Sequence, residues 1–251
     1  ASGVNVRLVG PMPTPAISYL ANSFKKEAGV VISASHNSYE DNGIKFFNDN
    51  GKKISDSLEE RIEKKLAEEM TVVEAKDLGK AARISDANGR YIEFCKSCLK
   101  RDVNFSSLKI VLDVANGAAY DVAPKVFKEL GADLIVIADK PNGMNINKDC
   151  GSTNIELLKN EVKKNAADFG LALDGDGDRL IFVDENSEIL DGDEILYVLA
   201  RDKFENQITL GPKGIVGTTM TNKGLEKALR DLGIDLIRSD VGDRHVLQKL
   251  E

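Results

Sequence analysis

The run Asp174-Gly175-Asp176-Gly177-Asp178-Arg179 lies between two apolar segments, Phe169-Gly170-Leu171-Ala172-Leu173 and Leu180-Ile181-Phe182-Val183. Short apolar runs bounded by glycine and polar residues read as buried strands. The chain must therefore build a sheet that delivers three carboxylates to one tight turn. Carboxylates at every second position repel and raise one another's pKa unless a cation sits among them. A solvated acidic turn is the plainer alternative, but a loop pinned between two core strands holds its side chains in place. Asp174, Asp176 and Asp178 are accordingly read as metal ligands.

An EF-hand is excluded, although Asp174, Asp176, Asp178 and Glu185 occupy its loop positions one, three, five and twelve. Its sixth position needs glycine and is Arg179 here, and the flanks read as strands rather than helices. An arginine beside three carboxylates makes sense if an anion must bind there too. That mixture of charges fits Mg²⁺ with phosphate oxygens completing its shell.

A second stretch, residues 30–47, runs from an apolar strand (Val30-Val31-Ile32) through a small polar loop to another apolar segment. It offers Ser35 as nucleophile or phosphate carrier, His36 as one of 2 histidines in the chain, and Lys45 as a cation for a transferring phosphoryl group. A hydrolase triad is not expected. Adjacent Ser35 and His36 point apart in an extended chain, and no nucleophile-elbow spacing is present.

Along the chain, strands and helices alternate. Leu58, Ile62 and Leu66 recur at helical spacing behind Ser57, with Glu60 placed for a capping box. A strand at 109–114, a helix at 121–130 closed by Gly131, and a strand at 134–138 predict a right-handed βαβ unit. The Asn116-Gly117-Ala118-Ala119 turn within it could cradle a phosphate. A helix at 155–164 feeds the strand carrying the acidic loop. A helix at 193–203, strand 214–218, helix 223–232 and strand 235–239 begin another unit of the same type. Turn-rich segments place boundaries near 86 and 189, giving domains 1–85, 86–188 and 189–251.

The net charge of −7 argues against nonspecific nucleic-acid binding. No apolar run approaches the roughly 20 residues of a membrane span, and nothing at the start reads as a signal peptide, so a cytoplasmic location is expected. The 3 cysteines are no disulfide framework. Cys95 and Cys98 have the spacing of a redox or zinc half-site, but residues 88–95 read as a helix, Cys150 is far along the chain, and no second pair completes a tetrahedral site.

Taken together, Gly10-Pro11-Met12-Pro13-Thr14-Pro15, Ser33-Ala34-Ser35-His36-Asn37 with Asp41-Asn42-Gly43-Ile44-Lys45-Phe46-Phe47, and the Asp174–Arg179 loop resemble the α-D-phosphohexomutase superfamily. Val241-Gly242-Asp243-Arg244 resembles its phosphoglucosamine branch. The resemblance implies an α/β fold of consecutive mixed-sheet domains, here a fragment of a four-domain enzyme that begins inside the first domain and stops inside the third. It implies Ser35 as the phosphoserine, Mg²⁺ held by Asp174, Asp176, Asp178 and the Ser35 phosphate, Arg179 and Lys45 on the phosphoryl group, and His36 as a polarising neighbour. The implied substrate is a hexosamine phosphate, with glucosamine 6-phosphate and glucosamine 1-phosphate interconverted; a phosphoglucomutase or phosphomannomutase, or a non-catalytic metal-binding fragment, are the open alternatives. A homodimer is an open assembly; nucleic acid and membrane are not expected partners. Ser38 stands where the family usually has proline, and His245 where tyrosine is common.

Overall fold

The computed structural model describes residues 2–25, 28–100, 102–206 and 214–250. The chain falls into two compact units, residues 1–188 and 189–251.

The first unit opens with β1 (Val6–Leu8) and α1 (Thr14–Ser23), followed by β2 (Ala28–Ser33) and β3 (Gly43–Asn48). Pro13 is the N-cap of α1 and Pro15 falls in its first turn. Proline is accepted there because the first amides of a helix have no intrahelical acceptor. One face of α1 buries Ala16 and Leu20 against Tyr91, Ile92 and Val122. β2 and β3 form an antiparallel pair, with Ser33 opposite Gly43 and Ala28 opposite Asn48, so the intervening residues 34–42 form its closing loop. That loop carries Ser35.

Next come α2 (Asp56–Leu66), β4 (Ala81–Arg83), which pairs parallel with β1, and α3 (Ala87–Ser97). The capping box expected at Ser57 and Glu60 is not formed. The N-cap of α2 is Ser55, without a side-chain cap bond, and Ser57 already lies inside the helix. The apolar spacing located the helix, but two serines two residues apart left its first residue ambiguous.

β5 (Lys109–Asp113), α4 (Val122–Glu129) and β6 (Asp133–Ile137) form the βαβ unit, with β5 and β6 parallel. α5 (Glu156–Asn165) leads into β7 (Phe169–Leu173), parallel to β5, and β8 (Leu180–Asp184) returns antiparallel to β7. The strands lie in the order β6-β5-β7-β8. Ile110, Val111 and Leu112 of β5 are fully buried because the central strand is covered on both faces. Leu158 and Val162 of α5 pack on one side, and Phe127 of α4 with Phe105 on the other. This strand order sets the β7–β8 turn beside the end of β5.

The second unit contains β9 (Ile189–Leu190), α6 (Gly192–Glu205), β10 (Ile215–Thr218), α7 (Lys223–Asp231), β11 (Leu236–Ser239) and α8 (Asp243–Leu250). β10 and β11 are parallel around the α7 crossover, whose Leu225 and Leu229 are buried with Ala200. A capping box forms here: Asp191 accepts from the Glu194 amide at 2.9 Å and Glu194 accepts from the Asp191 amide at 2.8 Å. Among the described residues, no helix is long and apolar enough to cross a membrane.

Candidate functional site

The hairpin loop reverses direction at Ser35, whose backbone is left-handed at φ 52°. For a side-chain-bearing residue this costs about 1 kcal/mol or more, so the surroundings must hold it. The Ser35 amide donates to Ser33 Oγ at 3.0 Å. Its carbonyl accepts from the Gly175 amide at 3.1 Å and from Asn147 Nδ2 at 2.8 Å. The hydroxyl donates to Asp174 Oδ2 at 3.3 Å and lies 3.5 Å from His36 Nδ1. The expectation that Ser35 and His36 point apart is thus corrected: it assumed an extended chain, and the left-handed residue turns the two side chains together. His36 has no carboxylate partner among the described residues, so no hydrolase triad results.

The acidic loop is built largely from buried groups. Asp174 and Asp176 are fully buried, Asp178 is exposed, and one carboxylate oxygen from each of the three lies within 4.8 Å of the others. Asp174 Oδ1 accepts the amides of Asp178 and Arg179, both at 3.1 Å, which curls the loop around its first carboxylate. Asp176 Oδ2 accepts from Thr14 Oγ1 and from Lys45 Nζ at 2.6 Å, and Lys45 also reaches Asp178 Oδ2 at 2.9 Å. Asp176 Oδ1 is buried with no hydrogen-bond partner.

Burial, reinforced by repulsion from Asp176, pushes the Asp174 carboxyl above its ordinary value. Burial would do the same to Asp176, but Lys45 and Thr14 outweigh it and leave that carboxyl lowered. Burial works against the charged form of Lys45 too, and its two carboxylate partners overcome it, so its pKa is raised. An unpaired oxygen on a buried carboxylate costs free energy. Together with the all-oxygen donor set, it fits a small hard divalent cation held by Asp174, Asp176 and Asp178.

Six of the seven residues singled out from sequence therefore converge: Ser35, His36, Lys45, Asp174, Asp176 and Asp178. Arg179 joins the loop through its amide, while its side chain is exposed and makes no ion pair with a described residue.

Three further residues hold the site and were not singled out. Thr14 donates to Asp176 through both its amide, at 2.8 Å, and its hydroxyl. Its place between Pro13 and Pro15 at a helix start was the available signal. Asp113, fully buried at the end of β5, accepts the amides of Ala115 and Gly151, each at 2.8 Å. Asn147 bonds to the Ser35 loop from 112 positions away and had no local signal at all.

The Asn116–Ala119 turn does not present its amides as a phosphate cradle. Gly117 donates to Val114 and Ala118 donates to the Gly175 carbonyl at 2.7 Å. A Cβ on Gly117 would meet that carbonyl oxygen at 2.2 Å, so the turn buttresses the acidic loop through close backbone contact. Cys95, Cys98 and Cys150 are free thiols.

Three profiles of one family match in sequence order: phosphoglucomutase/phosphomannomutase alpha/beta/alpha domain I over residues 1–72, domain II over 89–188 and domain III over 191–251. The chain belongs to the phosphoglucomutase/phosphomannomutase family. It is 55% identical over 250 residues to a phosphoglucosamine mutase of Aliivibrio fischeri, spanning 100% of this chain and 56% of that relative. The chain thus spans about half the length of the curated relatives it matches. A phosphoglucomutase/phosphomannomutase family protein of Burkholderia thailandensis superposes with a TM-score of 0.80 at 25% identity, covering 100% of this chain and 55% of the other. N-acetylphosphoglucosamine mutase of Aspergillus fumigatus, solved with GlcNAc-6P and magnesium, shares the fold at a TM-score of 0.60 and 18% identity, over 94% and 61% of the two chains.

Proposed function

We propose that this chain is the phosphoryl-transfer part of a phosphoglucosamine mutase, with residues 1–85 contributing to its first domain, 86–188 forming the second and 189–251 beginning the third. The observation that carries this reading is the approach of Ser35 Oγ to Asp174 Oδ2, 3.3 Å apart across 139 positions, in a chain 55% identical to a relative of that name. A serine hydroxyl set against a divalent-ion ligand set is suited to carrying a phosphoryl group rather than to acyl chemistry.

In the proposed cycle Ser35 is phosphorylated. The bond between its Oγ and phosphorus breaks as a bond forms from phosphorus to the free hydroxyl of glucosamine 6-phosphate, and the hydroxyl's proton passes to Ser35 Oγ. The bisphosphate then presents its other phosphoryl group, which returns to Ser35 by the reverse exchange and releases glucosamine 1-phosphate. Atoms and charge balance over the cycle, so the net reaction is an isomerisation. Asp174, Asp176 and Asp178 would hold Mg²⁺, which supplies positive charge next to the transferring group. Lys45, within reach of the same carboxylates, and Arg179, exposed at the loop's end, supply further positive charge for the phosphoryl oxygens. His36 beside Ser35 Oγ polarises that oxygen.

The test is a steady-state assay of the full-length protein with glucosamine 6-phosphate beside glucose and mannose phosphates. Preference for glucosamine 6-phosphate, together with phosphate on Ser35 by intact mass, is expected. Preference for the neutral sugars would make it a phosphoglucomutase or phosphomannomutase, and metal binding without phosphate on Ser35 would leave a non-catalytic module.

A further inference from the structure

The Asn147 side chain ties the Ser35 turn to the sheet that carries the carboxylates. Its Nδ2 donates to the Ser35 carbonyl and to the Asn37 carbonyl, each at 2.8 Å. One nitrogen with two hydrogens meets two acceptors, and a flipped amide would set its oxygen against both, so the partners fix its orientation. The other end is anchored as well. Asn147 is left-handed at φ 57°, which asparagine tolerates, and its amide donates to the Ala115 carbonyl at 2.9 Å. Ala115 is held in turn by Asp113 at the end of β5. Since the Ser35 carbonyl also takes the Gly175 amide, the peptide that sets the serine's strained geometry is gripped from two directions.

We propose that Asn147 is a positioning residue for phosphoryl transfer: its carboxamide holds the Ser35 turn so that Oγ keeps its place beside Asp174 while that oxygen alternates between hydroxyl and phosphate ester. The inference rests on the mutase reading above. Phosphorylation adds about two negative charges beside buried carboxylates, and the resulting repulsion acts on a turn that is already strained. A carrier that must give and recover the same group cannot drift, because a displacement of about 1 Å costs on the order of a hundredfold in rate.

Two substitutions in the full-length protein separate this role from packing. Asn147→Gly keeps the left-handed backbone without strain and removes the amide. Asn147→Asp keeps the size and also tolerates that backbone, but turns a carboxylate oxygen toward two carbonyls. With glucosamine 6-phosphate, kcat should fall about tenfold for Gly and about a hundredfold for Asp, with KM within about twofold of wild type. Phosphoenzyme charged with the sugar bisphosphate should lose its group to water faster in both, by intact mass. A packing role would instead lower thermal stability and leave the isosteric aspartate the better of the two. The inference is overturned if Asn147→Asp keeps kcat within about twofold, or, should that variant not fold, if Asn147→Gly does. Ser35→Ala measured alongside distinguishes the failures: a turning-over Ser35→Ala enzyme defeats the mutase reading itself, whereas an inactive one beside unaffected Asn147 variants defeats only the positioning role.

Discussion

The Ser35 turn and the Asp174–Arg179 loop meet in one site yet differ in burial and in how far their own amides hold them. The turn closes a two-stranded hairpin; Ser35 and His36 are half-buried, residues 37–42 are exposed, and Ser35 is strained. Much of what fixes it comes from elsewhere, from Asn147 and the Gly175 amide. The acidic loop connects β7 to β8 in the unit's main sheet, buries two of its three carboxylates, and satisfies Asp174 with its own amides. One region is an open turn braced largely from outside; the other is a mostly buried socket that supplies amides of its own and is braced in addition by Thr14, Lys45 and the Gly117 turn. Chemistry should therefore be more sensitive than folding to changes in the first, and folding more sensitive to changes in the second.

The largest test of that contrast is Ser35→Ala. Mutase turnover in the full-length protein should fall about a thousandfold or more, while the melting temperature stays within about 2 °C of wild type. A large loss of stability would show that the turn is part of the framework after all.

Gly175→Ala should do the reverse. Its Cβ would meet the Ile146 side chain at 2.4 Å and the Ser35 carbonyl at 2.6 Å, so a destabilisation of about 3 kcal/mol in denaturant unfolding is expected. A near-neutral result would mean that the socket is looser than its contacts suggest.

Divalent ion sharpens the comparison from the ligand side. Mg²⁺ at about a hundred times its Kd should stabilise the protein by about 2.7 kcal/mol, and chelator should reverse the shift. Asp176→Asn, which removes the charge from the carboxylate with the unpaired buried oxygen, should abolish most of it. Persistence of the full shift in that variant would remove Asp176 from the ligand set.

The smallest effect is on thiol chemistry. Burial, helped by Asp113, pushes the Cys150 thiol up to about 12, so it should resist alkylation until the protein unfolds. Cys98 is exposed and should label in the native state. Rapid labelling of both by mass spectrometry would show that the packing around Cys150, beside Asn116 and Asp113, opens readily.

Most of the fold was legible because its signals are local. The apolar runs at 169–173 and 180–183 and the glycine closing α4 needed no long-range information, and observed element ends differ from the expected ones by a residue or two. Residues with distinctive chemistry, such as three alternating aspartates, stood out for the same reason. The missed residues share a different property. Asn147 acts on the Ser35 turn and Asp113 reaches the Gly151 amide, and a carboxamide in a loop or a carboxylate at a strand end looks alike in sequence whether it faces solvent or bonds to a distant backbone group. The phosphate-cradle expectation at Gly117 failed because a glycine turn with free amides and one packed against another backbone have the same sequence. Ser35 and His36 were expected to diverge because no pattern announces a left-handed serine.

The contact between Gly117 and Gly175 bears on how such a site can change over generations. At Gly175, part of the obstruction is the Ile146 side chain, which a second substitution could shorten, so a larger residue there has at least a partial compensatory route. At Gly117 the nearest atoms are all Gly175 backbone, present whatever residue is encoded at position 175. No single neighbouring replacement makes room, so position 117 is an evolutionary dead end for every side chain, locked by main chain.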